Sequence, residues 1–411
     1  MKKRVVVTGV GVVSPIGIGK EAFWQSLISG KCGIGLVTHF DASSYPCKYA
    51  AEVKEFNPTD FFAPKEVRHY SRGTQFSIVS SQLAVLDAGL VIDAEDSHNT
   101  GIVYGTAMGP MDTIEKFCSL FYERGLRRVN PFFLGMINKN SVVGALANRF
   151  GIKGYHLSIA AGCSAGNVAI SQAYQAVAHD LAEVMIAGGV ETPITPSIFG
   201  LYAASQALSS LNGTPTKTMC PYDKRRAGFI LGEGAGTLVL ESLEHAVKRG
   251  ARIYAEILSS SLTNDAEDAF VFSPNGKEMV FAFQRALKEA RLLPSEVDYI
   301  CAHAHSSVVL DKKETSVIKE VFGDHAYRLK VSTIKAMVGH SMAGGTAMQS
   351  ISACLALQEG ILPPTLNYEV QDSECDLDYV PNTAQEKEIK VALVDSFGLG
   401  GTNVAILYKK I

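Results

Sequence analysis

Ser158-Ile159-Ala160-Ala161-Gly162-Cys163-Ser164-Ala165-Gly166 is an apolar run that ends in small residues around one cysteine. Tyr155 to Ile159 have strand character, and Gly162 permits a tight turn. Ala165, Val168, Ala169, Ala173 and Ala176 then fall at the spacing of a closely packed, buried helix. This order places Cys163 at a helix N-terminus. Unpaired N–H groups and the positive end of the macrodipole favour thiolate over thiol there, which makes a cysteine nucleophilic near neutral pH. Taken alone, a lone cysteine among alanines reads more readily as a small core residue.

A second stretch repeats the design. Val331-Ser332-Thr333-Ile334-Lys335-Ala336-Met337-Val338-Gly339-His340-Ser341 also passes from strand-like residues through a glycine, with Ala343, Gly344, Ala347 and Ile351 following at helical spacing. Gly339-His340-Ser341 thus echoes Gly162-Cys163-Ser164, as two equivalent halves of one fold would. A third turn lies between them: the strand-like Val297-Asp298-Tyr299-Ile300-Cys301-Ala302 leads into His303-Ala304-His305-Ser306-Ser307.

The 411 residues suffice for two or three ordinary domains, or for one large fold of two similar halves. The composition is that of a soluble globular protein. A net charge of −3 argues against nucleic-acid or membrane binding as the main activity. The eight cysteines lack the paired short spacings of a zinc site or a disulfide framework, so no metal is expected, and free thiols in a reducing cytoplasm are the simplest reading. Met1 to Arg4 followed by valines and glycines reads as a first strand, since a signal peptide wants a leucine-rich core. No apolar run is long enough to span a bilayer.

Along the rest of the chain, strand-like and helix-like segments alternate, which predicts a layered α/β architecture. The first half offers a helix over residues 77–89, strands over 101–106 and 184–188, and a strand over 237–240. Ala107 to Asn140 show no clean period and are expected to form a functional loop region. Arg249-Gly250-Ala251 marks the boundary between an N-terminal half, 1–250, and a C-terminal half, 251–411. The second half repeats the alternation and closes on Ser396-Phe397-Gly398-Leu399-Gly400-Gly401-Thr402-Asn403 and a last strand.

Four features stand in order: a cysteine after a strand, a His-rich turn, Lys335-x-x-x-x-His340, and the Phe-Gly-x-Gly-Gly-Thr-Asn loop. This order resembles the β-ketoacyl-acyl-carrier-protein synthases, condensing enzymes of the thiolase superfamily, over essentially the whole chain. The resemblance implies a thiolase-like five-layer α/β/α/β/α fold of two pseudo-duplicated halves. It implies Cys163, His303 and His340 as catalytic residues, with Lys335 buried near Asp311 and Glu314 and helping to orient the histidines. It also implies an oxyanion hole from the backbone N–H groups of Cys163 and Leu399. The expected reaction is decarboxylative Claisen condensation of a Cys163-bound acyl chain with malonyl-carrier protein. The expected partners are an acyl carrier protein and a second subunit, as a homodimer or as a heterodimer with a chain-length-factor-like mate. No cofactor is expected beyond the phosphopantetheine arm that carries the substrates.

The departures from that pattern are specific. The family's His-Gly-Thr-x-Thr is His303-Ala304-His305-Ser306-Ser307 here, so His305 and Ser307 take the places of the threonines that contact the pantetheine arm. Gln349 replaces the carboxylate usually found near the buried lysine, and Leu399 replaces the gating phenylalanine. These changes favour a specialised polyketide or polyene pathway over housekeeping fatty-acid synthesis. Two other readings compete: a non-catalytic chain-length-factor-like subunit, against which Cys163 argues, and a coenzyme A thiolase, which would need a second cysteine where Gly398 to Gly401 stand. Because carrier proteins are acidic, Lys65, Arg68, Arg127 and Arg128 are the docking candidates.

Overall fold

The computed structural model describes residues 2–93, 96–268 and 275–411. Ten strands carry the fold. In the first half they are β1 (Val5–Ser14), β2 (Thr100–Gly105), β3 (His156–Ile159), β4 (Val184–Glu191) and β5 (Gly234–Ser242). In the second half they are β6 (Ala255–Asn264), β7 (Tyr299–Cys301), β8 (Lys330–Ser332), β9 (Val391–Gly398) and β10 (Thr402–Lys409). Six helices matter here: α1 (Arg72–Asp87), α2 (Met111–Arg124), α3 (Ala165–Ala178), α4 (Lys277–Ala290), α5 (Leu310–Phe322) and α6 (Met342–Glu359).

The strand order is β3-β2-β4-β5-β1 in the first half and β8-β7-β9-β10-β6 in the second. Both halves pair the same way. β3·β2 and β2·β4 are parallel, as are β8·β7 and β7·β9, while β4·β5, β5·β1, β9·β10 and β10·β6 are antiparallel. The duplication suggested by two similar turns is therefore a duplication of topology. The halves join where β1 runs antiparallel to β6, with Val5 opposite Ile257 and Val7 opposite Ala255. Instead of two separate sheets, one continuous sheet thus folds over on itself.

Helices α3 and α6 pack against each other between the halves, α1 covers the outer face of the first half, and α4 with α5 covers the second. Three apolar clusters correspond to these three helix layers. One joins Phe76, Ile78 and Val79 of α1 to Ile102 and Ile186; a second joins Phe283, Val317 and Ile318 to Leu393 and Leu407. The central and largest takes Val168, Ala169 and Ala173 of α3 with Met348, Ile351 and Leu355 of α6.

The central pair explains the small-residue spacing in the sequence. A Cβ on Gly166 would lie 2.1 Å from the carbonyl oxygen of Ala343, so the two backbones touch where only glycine fits. Almost every side chain of α6 is buried, including the polar Thr346, Gln349, Ser350 and Ser352. One expectation fails in residues 107–140. That region contains the 14-residue helix α2, whose single buried residue is Thr113; so little of it enters the core that its apolar period is hard to read in the sequence.

Candidate active site

The turns after β3, β7 and β8 and the loop after β9 converge at one end of the sheet. Gly162 adopts φ 53°, and a Cβ there would lie 2.9 Å from the Leu399 carbonyl oxygen, so the 398–401 loop backs directly onto the cysteine turn. Cys163 sits one residue before Ser164, the N-cap of α3, as the spacing predicts. Its carbonyl accepts a hydrogen bond from Thr346 Oγ1 (3.2 Å), which ties the turn to α6.

The thiolate expected at that position is not the resting state. Cys163 packs with Ala107, Met108, Tyr202, Phe229 and Met342, and burial pushes its thiol up to about 11. The Lys335 charge and the backbone N–H groups of Leu399 and Cys163 pull the other way but do not win. These are the two amides expected to form an oxyanion hole. His340 Nε2 stands 3.2 Å from Sγ, within proton-transfer distance. The His340 backbone is pinned by donating to Ile230 O (2.7 Å) and accepting from Gly232 N (3.1 Å).

His303 begins the turn after β7, and its backbone N–H is shared by Glu314 Oε1 (2.7 Å) and Asp395 Oδ1 (2.8 Å). Lys335 Nζ donates to the His303 carbonyl and to Gln349 Oε1 (3.2 Å), and lies 3.3 Å from His303 Nδ1. An ammonium has donors only, so Nδ1 must accept and the ring proton must sit on Nε2. That Nε2 is buried and has no partner among the described residues. Burial, with the charge of Lys335 next, holds His303 well below the usual imidazole range, and His340 is held down by burial with His305 and Lys335. Both rings are neutral at neutral pH.

The acidic support differs from expectation in one respect. Among the described residues Lys335 forms no ion pair within contact distance, and Asp311 is not its counter-charge. Asp311 instead accepts the backbone N–H groups of His305 (3.2 Å), Ser306 (3.1 Å), Ser307 (3.1 Å) and Tyr222 (2.9 Å), clamping the turn that carries His305. The turn's geometry demands this, since Ser306 has φ 71°. Burial raises Asp311 to about 7. Burial lowers Lys335 to about 8, and Glu314 and then Asp395 oppose that shift. Both of these buried carboxyls are raised, Glu314 by burial and Asp395 by burial and then by the Glu314 charge.

Two carboxyls went unread in the sequence, and both had the same signal. Glu191 and Asp395 are single acids near the ends of the apolar strands β4 and β9, which are topological equivalents. Glu191 accepts the N–H groups of Ala107 (2.6 Å) and Met108 (3.0 Å), just as Asp311 and Glu314 hold the turn after β7.

His305 and Ser307 line a cleft with Phe229, Val308, Gln206 and Arg226. Lys65 and Arg68 are exposed on and just after the short helix Pro64–Val67, and Arg127 and Arg128 are exposed in the turn after α2. A tilted ring contact of His69 with Phe132, centroids 4.3 Å apart and planes at 38°, links the two basic segments. Leu399 is 48 % exposed at the head of its loop. Among the described residues no group of three or more His, Cys, Asp and Glu side chains has metal-holding geometry, and no helix is long and apolar enough to cross a membrane.

Residues 2–246 match the beta-ketoacyl synthase N-terminal domain and residues 254–369 the beta-ketoacyl synthase C-terminal domain. The chain belongs to the β-ketoacyl synthase family. Similar members include the 3-oxoacyl-[acyl-carrier-protein] synthase 2 of Synechocystis sp., 40% identical over all of this chain and 98% of that one. The counterpart of Coxiella burnetii is also 40% identical, over 100% and 99%. Among solved β-ketoacyl synthases, a type II polyketide ketosynthase bound to its acyl-carrier protein and a hexaketide has 31% identity and TM-score 0.92, covering both chains fully. The ishigamide ketosynthase/chain length factor has 30% identity and TM-score 0.93, again over both full chains. Like these relatives the chain is a condensing enzyme, an acyltransferase with a thiolase-like fold.

Proposed function

We propose that this β-ketoacyl synthase extends an acyl chain by two carbons in two half-reactions at Cys163. In the first, the Cys163 proton passes to His340 Nε2 and the sulfur attacks the thioester carbonyl of an acyl-carrier protein. The oxyanion is held by the backbone N–H groups of Cys163 and Leu399, and the carrier thiol leaves with the proton. In the second, with the His340 ring proton now on Nε2, malonyl-carrier protein loses carbon dioxide, and its thioester oxygen becomes an enolate oxygen held by the Nε2–H groups of His303 and His340. The enolate carbon attacks the Cys163 thioester; a carbon–carbon bond forms, the carbon–sulfur bond breaks, and Cys163 leaves as a thiolate that takes up a proton from solvent to regenerate the thiol. The observation that carries the reading is the 3.2 Å contact of His340 with Sγ beside a His303 whose only free N–H faces the site.

Both substrates ride on the phosphopantetheine arm of the carrier protein, and no other cofactor takes part. Ser307 faces that arm in the cleft, and the His305 ring packs on His340 instead. The enzyme works as a dimer, with itself or with a chain-length-factor-like mate, and the exposed edge strand β3 supports this because its unpaired backbone suits strand pairing. The replacements at 305, 349 and 399 favour a polyketide or polyene product.

Mutation should separate the half-reactions. Cys163→Ala abolishes the acyl-enzyme and all condensation but keeps malonyl decarboxylation. His303→Ala leaves acylation largely in place and lowers decarboxylation by ~10²-fold or more, the scale of losing one preorganised donor. Intact-mass detection of the acyl adduct and release of carbon dioxide measure the two steps independently. A Cys163→Ala chain that still condenses would overturn the assignment.

A further inference from the structure

Three imidazoles crowd over Cys163, and the third is unaccounted for by either half-reaction. The ring of His305 lies nearly parallel to that of His340, with centroids 4.9 Å apart and an interplanar angle of 22°. It meets His303 edge-on at 5.1 Å and 75°. Phe229 closes the group, 4.9 Å from His340 at 71° and 5.2 Å from His305. His305 is 5 % exposed, and its Nδ1 has no partner among the described residues.

The two reacting histidines are oriented by different means. The ring of His303 is fixed by Lys335 at Nδ1. His340 has no such bond at Nδ1, which is buried without a partner among the described residues, and its backbone hydrogen bonds fix the Cα but leave rotation about Cβ–Cγ free. Apart from its 3.2 Å contact with Sγ, packing sets the plane of that ring, and hence the direction in which Nε2 points. The rings packed on it are the face of His305, Phe229 and, more distantly, His303.

We propose that His305 is a positioning residue, whose stacked ring fixes the plane of His340 so that Nε2 is aimed at Cys163 and at the thioester oxygen. A threonine, the residue the family pattern has here, offers no such face. The turn is built to hold the ring still: the Asp311 carboxylate grips the N–H groups of residues 305, 306 and 307. The inference rests on the reading of His340 as a participant in both half-reactions.

The test compares His305→Ala, His305→Thr and His305→Phe in the full chain in its native assembly. Carbon dioxide release from malonyl-carrier protein reports one half-reaction and intact-mass acylation of Cys163 the other. His305→Ala and His305→Thr should lower kcat for decarboxylation by ~10-fold or more, with KM for malonyl-carrier protein changed less than ~2-fold, since a misaimed group costs rate and not binding. His305→Phe, which keeps the ring and removes both nitrogens, should recover to within ~3-fold of wild type. Should His305→Ala fail to fold, His305→Thr against His305→Phe carries the same comparison. A His305→Phe as slow as His305→Ala, a loss confined to KM, or an undiminished His305→Ala overturns the proposal. A wild-type chain that takes no acyl group on Cys163 overturns the underlying reading instead, whatever the His305 variants do.

Discussion

Lys335 earns its burial through one proton. With Gln349 in place of a carboxylate, nothing among the described residues lies within ion-pair distance of its ammonium, and burial lowers it to about 8 despite Glu314 and Asp395. Below that pH the ammonium donates and holds His303 in the Nε2–H form; above it the amine can accept, and the constraint on the ring proton is lost. Decarboxylation should therefore fall as pH rises through about 8 and level off once the amine form predominates. Cys163→Ala isolates the step, because no acylation then contributes to the profile. A rate that stays level to pH 9.5 would separate the His303 tautomer from the charge of Lys335. The His303 and His340 rings, held below their ordinary range, contribute no inflection near neutrality.

At the scale of elements, the site depends on how closely α3 and α6 approach. Gly166→Ala puts a methyl 2.1 Å from the Ala343 carbonyl oxygen and 2.7 Å from Thr346 Oγ1, the hydroxyl that holds the Cys163 carbonyl. Both helices must shift, at about 1–3 kcal/mol for overpacking. Denaturant unfolding should show the lower midpoint, and Cys163 acylation should slow even in the folded fraction. The 398–401 loop makes the opposite case. Leu399 is half-exposed while its amide faces the sulfur, so Leu399→Phe changes what lines the entrance without removing the donor. Product lengths should change more than the acylation rate. If acylation alone fell, Leu399 would have no part in gating.

The whole molecule carries a net charge of −3, so the proposed role, with an acidic carrier protein as partner, calls for a locally basic docking surface. The contact between His69 and Phe132 links the segment that carries Lys65 and Arg68 to the one that carries Arg127 and Arg128, about 60 residues apart in the chain. Arg68→Glu with Arg127→Glu should weaken carrier binding by ~10-fold or more at low salt, with the difference shrinking as salt screens it. Titration at two ionic strengths checks this. Equal affinity at low salt would remove these residues from the docking surface.

The chemistry was legible in the chain because it rests on local patterns. A strand, a glycine and a small-residue helix locate Cys163 and His340, and the strand-then-turn pattern locates His303, since each turn is dictated by residues within about ten positions of it. The alternation of strands and helices likewise announced the layered architecture, and the echo between two turns announced the duplication. The thiol's protonation, the Nε2–H form of His303, the role of Asp311 as a backbone clamp and the stacking of His305 on His340 were decided only by the tertiary structure. Each depends on burial or on partners from remote segments, such as Asp395 on the His303 amide 92 residues away. Local sequence sets which side chains stand at the turns; the low dielectric and the crossing of two glycine-lined helices set what charge they bear and where they point.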